Sequence, residues 1–142
     1  MHAPRATSGV VIIGILGILI GLTSGCASRG TVKPITGPAD LASLAGRWEG
    51  FGTGPGGAST RTTFSIAPEG RYTAQIGAFT STGMLRIADN QLVTVPEGAA
   101  RGAFATDHGA TIEVRERGGG LVLFGDGRSD RGPYSFEVTR RP

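Results

Sequence analysis

Short stretches in which apolar and polar residues alternate fill the chain from Gly46 to its C-terminus. Glycine, proline, aspartate or asparagine separates one stretch from the next. No part of this region repeats apolar residues with the period of an amphipathic helix over the length that a helix needs. Because a period of two places successive side chains on opposite faces of a strand, the pattern predicts an all-β domain.

We expect eight or nine strands, joined in chain order by short turns. The predicted strands are Arg47–Phe51, Thr62–Ala67, Arg71–Phe79, Gly83–Ala88, Gln91–Val95, the weak Gly102–Ala105, Ala110–Arg117, Gly120–Phe124 and Pro133–Arg140. Asp89-Asn90 is the strongest turn signal, because both residue types tolerate a left-handed backbone. One helical turn, Asp40–Ala45, is expected before the first strand, with Asp40 as its N-cap and Gly46 as its stop.

A meander of this many strands, with no helices to cover it, has two stable solutions, a closed barrel or a two-sheet sandwich. Consecutive hairpins favour the barrel, because closure leaves no unpaired sheet edge. An eight-stranded barrel is just wide enough to be filled by side chains or to hold one small ligand. The expected fold of residues 40–142 is therefore a small up-and-down antiparallel barrel, low and mostly filled.

A Gly-x-Trp motif lies where the helical turn passes into the first strand, in Leu44-Ala45-Gly46-Arg47-Trp48-Glu49-Gly50. This opening resembles that of the lipocalin-like superfamily of up-and-down barrels. The resemblance implies that Trp48 plugs one end of the barrel and that Arg140, near the end of the last strand, packs over its indole as a latch between first and last strands. The chain departs from lipocalins in its shorter length and in lacking their disulfide and C-terminal helix.

The N-terminal region has the three parts of an export signal: one cation, Arg5, then the apolar run Val10–Leu22, then small residues up to Cys26. At about 1.5 Å per residue the run makes roughly 20 Å of helix, which is shorter than the roughly 30 Å hydrocarbon core of a bilayer. A signal peptide over residues 1–25 is therefore favoured. A membrane-spanning helix that includes the uncharged flanks is the alternative.

Leu22-Thr23-Ser24-Gly25-Cys26 resembles the lipobox of bacterial lipoproteins, in which cleavage occurs just before a lipidated cysteine. Thr23 departs from the pattern, because the family usually has an aliphatic residue at that place. The resemblance implies that Cys26 carries acyl chains such as palmitate, which anchor the protein to a lipid bilayer. Since Ala27 is not aspartate, the resemblance also implies the outer membrane, with the protein facing the periplasm.

Residues 26–39 are rich in proline, glycine and small side chains, a composition that predicts a flexible linker between the lipidated cysteine and the barrel. The formal net charge of +3 is spread along the chain. A nucleic-acid partner is not expected, because it would require clustered cations. With its single cysteine acylated, the chain would form no disulfide.

Three motifs resemble functional sites without completing one. Gly52–Gly57 fits the Gly-x-Gly-x-x-Gly string of dinucleotide sites, but a strand is predicted after it where a helix should receive the pyrophosphate, so we expect a loop over the barrel mouth. His108 is expected in an exposed turn, and no cluster has metal-ligand spacing. Gly125–Asp130 resembles a calcium loop without the glutamate that closes it.

Two non-enzymatic functions remain open at this point. The barrel would bind a small apolar ligand through an interior or mouth lined by Trp48, Phe64, Tyr72, Ile76, Tyr134 and Phe136. Alternatively, it would serve as a protein-interaction or inhibitor module of the cell envelope, with a filled interior and contacts through strand edges or the glycine-rich loop. Because no nucleophile, base and orienting group stand at catalytic spacing, we expect neither enzyme activity nor a cofactor.

Overall fold

The structure is a computed structural model that describes residues 29–98 and 106–142. The predicted signal peptide, Cys26 and the predicted strand Gly102–Ala105 lie outside the described residues. The described part forms one short helix and nine strands. Their bounds are β1 Thr31–Val32, α1 Pro38–Ser43, β2 Gly46–Thr53, β3 Ser59–Ile66, β4 Arg71–Ile76, β5 Phe79–Ala88, β6 Gln91–Pro96, β7 Asp107–Arg117, β8 Gly120–Ser129 and β9 Gly132–Arg140.

The strands close into an antiparallel up-and-down barrel, which confirms the predicted fold class. Strands β2 to β9 pair in chain order, and β2 pairs with β9 to complete the ring. β1 adds to β7 outside the ring. The inward side chains form a single hydrophobic cluster, because alternate residues of every strand point to the barrel axis.

One hairpin lies at a different place from the predicted one. Arg71–Phe79 was expected to be a single strand, but β4 ends at Ile76 and β5 begins at Phe79. The chain turns at Gly77, whose φ of 59° is a left-handed conformation that favours glycine. The turn at Asp89 and Asn90 is the predicted one, with φ of 51° and 61°.

Strand β8 runs to Ser129, well beyond the predicted end at Phe124. The extension includes two glycines that the sequence placed in a calcium-like loop. A Cβ on Gly125 would lie 2.1 Å from Cζ of Phe136, and a Cβ on Gly127 would lie 2.3 Å from Cζ of Tyr134. These glycines are strand residues that leave room for two core rings of β9.

We expect Gly125→Ala to lower the free energy of unfolding by about 1–3 kcal/mol, because the Phe136 ring or the backbone must move to accept the methyl group. Gly54→Ala is the matched control, since nothing lies within 4 Å of its added Cβ. The control should change stability by no more than about 0.5 kcal/mol. Chemical denaturation of both variants measures the difference, and equal stabilities would contradict the packing described here.

Part of the predicted linker is packed on the barrel. Thr31 and Val32 pair with Glu116 and Arg115 of β7, and the Lys33 amide donates to the carbonyl of Val114 at 2.8 Å. Ile35 is 5% exposed and belongs to the core cluster. The expectation of a wholly flexible linker is therefore wrong for residues 31–35.

Helix α1 follows this packed segment and begins earlier than predicted. Its N-cap is Gly37, so Asp40 is a helical residue and not the cap. The Asp40 carboxylate instead accepts hydrogen bonds from the backbone amide and the hydroxyl of Thr36, at 3.0 and 2.9 Å. Within residues 29–98 and 106–142, no helix has the length and apolar character required to cross a membrane.

Candidate functional site

Trp48 closes the barrel end that carries α1. Its side chain is fully buried, and Nε1 donates a hydrogen bond of 3.0 Å to the carbonyl of Leu44. Arg140 is its Cα partner on β9, and the guanidinium carbon lies 5.0 Å from the centroid of the Trp48 ring. Arg140 also donates to the carbonyl of Ser43. The structure thus brings the two residues of the predicted latch together, and ties both to the end of the helix.

Side chains fill the barrel interior. All six residues predicted to bind a ligand are at most 6% exposed; they are Trp48, Phe64, Tyr72, Ile76, Tyr134 and Phe136. The Phe64 ring stacks between Tyr72 and Phe136, with centroid distances of 5.3 and 5.4 Å. The cavity beside these rings measures only about 10 Å³, roughly the least volume that holds one water molecule. This cavity is too small for an apolar molecule, which weighs against the ligand site predicted at these six residues.

A carboxylate and three hydroxyls form a hydrogen-bonded network at the opposite end of the interior. Asp107 is 6% exposed, and its Oδ1 accepts from the Tyr134 hydroxyl at 2.7 Å and from the Gly109 amide at 2.8 Å. Its Oδ2 accepts from the Ser81 hydroxyl, which lies 3.0 Å from that of Tyr72. In the described part of the chain, every buried side-chain nitrogen or oxygen has a hydrogen-bond partner. The network joins β4, β5, β7 and β9.

Sequence reasoning missed Asp107 and Ser81. The ladder between β7 and β8 shifts register between Asp107 and Ala110, so the alternating pattern starts at Ala110 and leaves Asp107 outside the predicted strand. Ser81 falls where the sequence predicted a turn. The sequence around either residue does not show that its side chain is buried. Whether a small polar side chain points into the barrel depends on the exact position of the hairpin that contains it.

The chain has two tyrosines, and both belong to this network. Burial, followed by the hydrogen bond and charge of Asp107, raises the pKa of Tyr134 far above its ordinary value. Burial also raises the pKa of Tyr72. Because folding favours the neutral phenols, the stability they contribute is complete below about pH 10, their value in the unfolded chain, and is lost as the pH rises above it.

We therefore expect the native protein to show weaker tyrosinate absorbance than the unfolded chain at about pH 10, where half of an exposed tyrosine is ionised. The absorbance should reach its full value only when alkali unfolds the chain, as reported in parallel by circular dichroism. The same protein in urea is the control and should titrate at the ordinary pKa. A tyrosine that ionises at about pH 10 in the folded state would disprove its burial in the network.

His108 lies in β7 and not in the expected turn, although its side chain is exposed as predicted. Its Nε2 is 2.6 Å from Oδ1 of Asp130, and this hydrogen bond is the main cause of the lowered pKa of Asp130. In residues 29–98 and 106–142, no group of three or more His, Cys, Asp and Glu side chains is placed to hold a metal ion. The glycine-rich segment after Thr53 leads into β3, so no helix follows it to receive a phosphate.

The outer wall of β2, β3, β7, β8 and β9 presents two aromatic rings among arginines. Strand register places five outward residues in one row across these strands: Arg61, Phe51, Glu137, Phe124 and Glu113. Phe51 is 68% exposed. The guanidinium carbons of Arg115 and Arg117 lie 5.6 and 5.9 Å from the centroid of Phe124. We call this wall the Phe51 face; it comprises the row together with Arg47, Glu49, Arg115, Arg117 and Arg141.

The Phe51 face has more positive than negative charge. Glu49 is shared by three arginines, Arg47 at 3.1 Å and Arg61 and Arg141 at 2.9 Å. Hydrogen bonds from Arg61 and Arg141 hold the pKa of Glu49 below its ordinary value. Glu113 and Glu137 on the same face each pair with one arginine. Because three guanidinium groups surround a single carboxylate, the Glu49 cluster retains a net charge of +2 beside the exposed ring of Phe51.

Comparisons of the chain with protein-family models, curated proteins and solved structures found no significant match.

Proposed function

We propose that the protein is a non-enzymatic lipoprotein of the bacterial cell envelope, anchored through acylated Cys26, whose filled barrel binds a partner protein through its outer surface. The anchor is supported by the resemblance of Leu22–Cys26 to a lipobox. Ala27 supports the outer membrane as its location, with the barrel in the periplasm. Cys26 itself lies outside the described residues.

The filled interior is the observation that favours surface binding. Pockets that enclose a small ligand measure about 300–1,000 Å³, whereas the cavity beside the core rings measures about 10 Å³. The core rings pack against one another, and the polar groups of the Asp107 network pair with one another. Opening the barrel would therefore break both the packing and the hydrogen bonds. Binding is therefore assigned to surfaces that are already exposed.

The loop Gly54–Ala58 is the strongest candidate for the contact with a partner protein. It joins β2 to β3 at the barrel end opposite Trp48, and a Cβ added to Gly54, Gly56 or Gly57 would have no neighbouring atom within 4 Å. Gly56 and Gly57 have φ of 101° and 82°, which keeps side chains out of this part of the loop. The amides of Gly54 and Gly57 donate to the carbonyls of Ala58 and Gly54, at 3.3 and 3.0 Å, so a partner protein would contact an exposed turn that is already formed.

Mass spectrometry of the protein isolated from its native membrane tests the anchor. We expect a chain that begins at Cys26 and has acyl chains on that residue. A free thiol on an intact N-terminus would refute the lipoprotein assignment. The same spectra, recorded under native conditions, should show no bound small molecule, and a stoichiometric apolar ligand would refute the closed barrel.

Site-specific photocrosslinking in cells tests the contact surface. A photoreactive residue at the exposed Ala58 of the loop should crosslink to one defined envelope protein, whereas the same residue at the exposed Arg86 of β5, remote from the loop, should not. Mixing purified partner with the purified lipoprotein should reproduce the crosslink. Equal labelling from both positions would show that the loop has no specific partner.

A further inference from the structure

The chain enters the barrel beside the Phe51 face. The carbonyl of Gly30 accepts a hydrogen bond of 3.3 Å from Nη1 of Arg115, and the pairing of β1 with β7 begins one residue later. Arg29 lines the same groove as Phe51 and Phe124. The point at which the preceding residues join the barrel is therefore known.

Only three residues separate Gly30 from Cys26. Four Cα steps of a fully extended chain span at most about 14 Å. Because residues 31–35 are packed on the barrel, they add no length to the anchor. Acyl chains on Cys26 would therefore hold this side of the barrel within reach of the lipid headgroups.

The chemistry of the Phe51 face suits an anionic bilayer surface. The Glu49 cluster retains two positive charges, and clustered cations are attracted to anionic headgroups. Arg29 and Asp126 line the neighbouring groove and offset each other's charge. Among the large hydrophobic residues of the described chain, only Val32, Phe51 and Val95 are exposed, and Phe51 is the most exposed of them. An apolar ring flanked by cations favours the interface between headgroups and acyl chains.

We propose that the Phe51 face is the membrane-facing side of the anchored protein, with its arginines on anionic lipid headgroups and the Phe51 ring in the interface. This inference depends on the proposed acylation of Cys26. In this orientation the barrel axis lies along the membrane surface, and the outward face of β4 and β5 is directed away from the bilayer.

Fluorescence quenching in vesicles tests this orientation with the full acylated protein. Vesicles contain phosphatidylcholine, phosphatidylglycerol and a lipid with a quencher in its headgroup region. A fluorophore is attached to Thr139→Cys, on β9 next to Glu49 of the face, or to Thr73→Cys, on β4 as the matched control. Both residues are exposed strand threonines. The introduced cysteine is the only free thiol, because Cys26 is acylated.

We expect quenching at position 139 to be several-fold stronger than at position 73. The triple variant Arg47→Gln, Arg61→Gln, Arg141→Gln, and separately Phe51→Ser, should reduce the quenching at 139 while the protein still sediments with the vesicles. High salt should weaken the contribution of the arginines. Circular dichroism of each variant checks that the barrel is folded. Because the two variants change different side chains, they test the arginines and the Phe51 ring separately.

Equal quenching at both positions in sedimenting, acylated protein would overturn the orientation and leave the lipoprotein proposal intact. Quenching at 139 that is unchanged in both variants would overturn the role of the Phe51 face. Protein that has no acyl chain and does not sediment would overturn the lipoprotein proposal and this inference together.

Discussion

Replacing Trp48 with alanine should lower the free energy of unfolding by about 3–5 kcal/mol, the usual cost of removing a large buried aromatic side chain. Trp48 is fully buried, donates to the carbonyl of Leu44 and lies under Arg140. Its removal leaves a void at the closed end and unpairs a carbonyl at the end of α1. Chemical denaturation followed by circular dichroism measures the loss.

Phe51→Ala is the matched control, because it removes an aromatic ring from the same strand on the exposed side. It should change the free energy of unfolding by about 0.5 kcal/mol or less. Arg140→Gln should cost about 0.5–2 kcal/mol, and its effect should shrink in the Trp48→Ala background, since the cation has lost its ring. Additive effects would show that the two side chains do not interact.

Replacing Asp107 with alanine should lower the free energy of unfolding by about 2–4 kcal/mol, because buried donors lose their acceptor. The donors are the hydroxyls of Tyr134 and Ser81 and the amide of Gly109. Asp107→Asn keeps one oxygen acceptor at the same place and should cost less. Denaturant unfolding of both variants gives the comparison.

A second substitution separates lost hydrogen bonding from lost packing. Tyr134→Phe removes the hydroxyl that would be unpaired in Asp107→Ala but keeps the ring over Gly127. The double variant should therefore be more stable than the sum of the two single losses predicts. Strict additivity would mean that the Tyr134–Asp107 hydrogen bond contributes nothing measurable.

The proposal of surface binding follows from the filled barrel, and the proposed orientation follows from the entry of the chain beside the Phe51 face. A closed interior leaves the outer wall and the loops as the surfaces available for contact. The short path from Cys26 to Gly30 favours a barrel held at the lipid surface over one displayed on a long tether. A partner protein would then meet the loop Gly54–Ala58 at the level of the headgroups.

The closed end of the barrel could be inferred from sequence to an unusual extent. Trp48 and Arg140 stand far apart in the chain, and nothing in the local pattern connects them. The pairing came from the resemblance of the Gly-x-Trp opening to a barrel superfamily. The filling of the interior was also expected, from strand number and chain length, but its volume depends on side-chain packing that no pattern reports.

The sequence by itself determined the all-β class, most of the strands, the turn at Asp89-Asn90 and the order of pairing, because alternation and turn chemistry are local properties of the backbone. Only the tertiary structure decided that Gly125 and Gly127 belong to a strand, since their missing side chains are replaced by rings from β9. It also decided that residues 31–35 pack on the barrel. The Glu49 cluster likewise exists only in the fold, because its arginines come from separate strands and from the chain beyond β9.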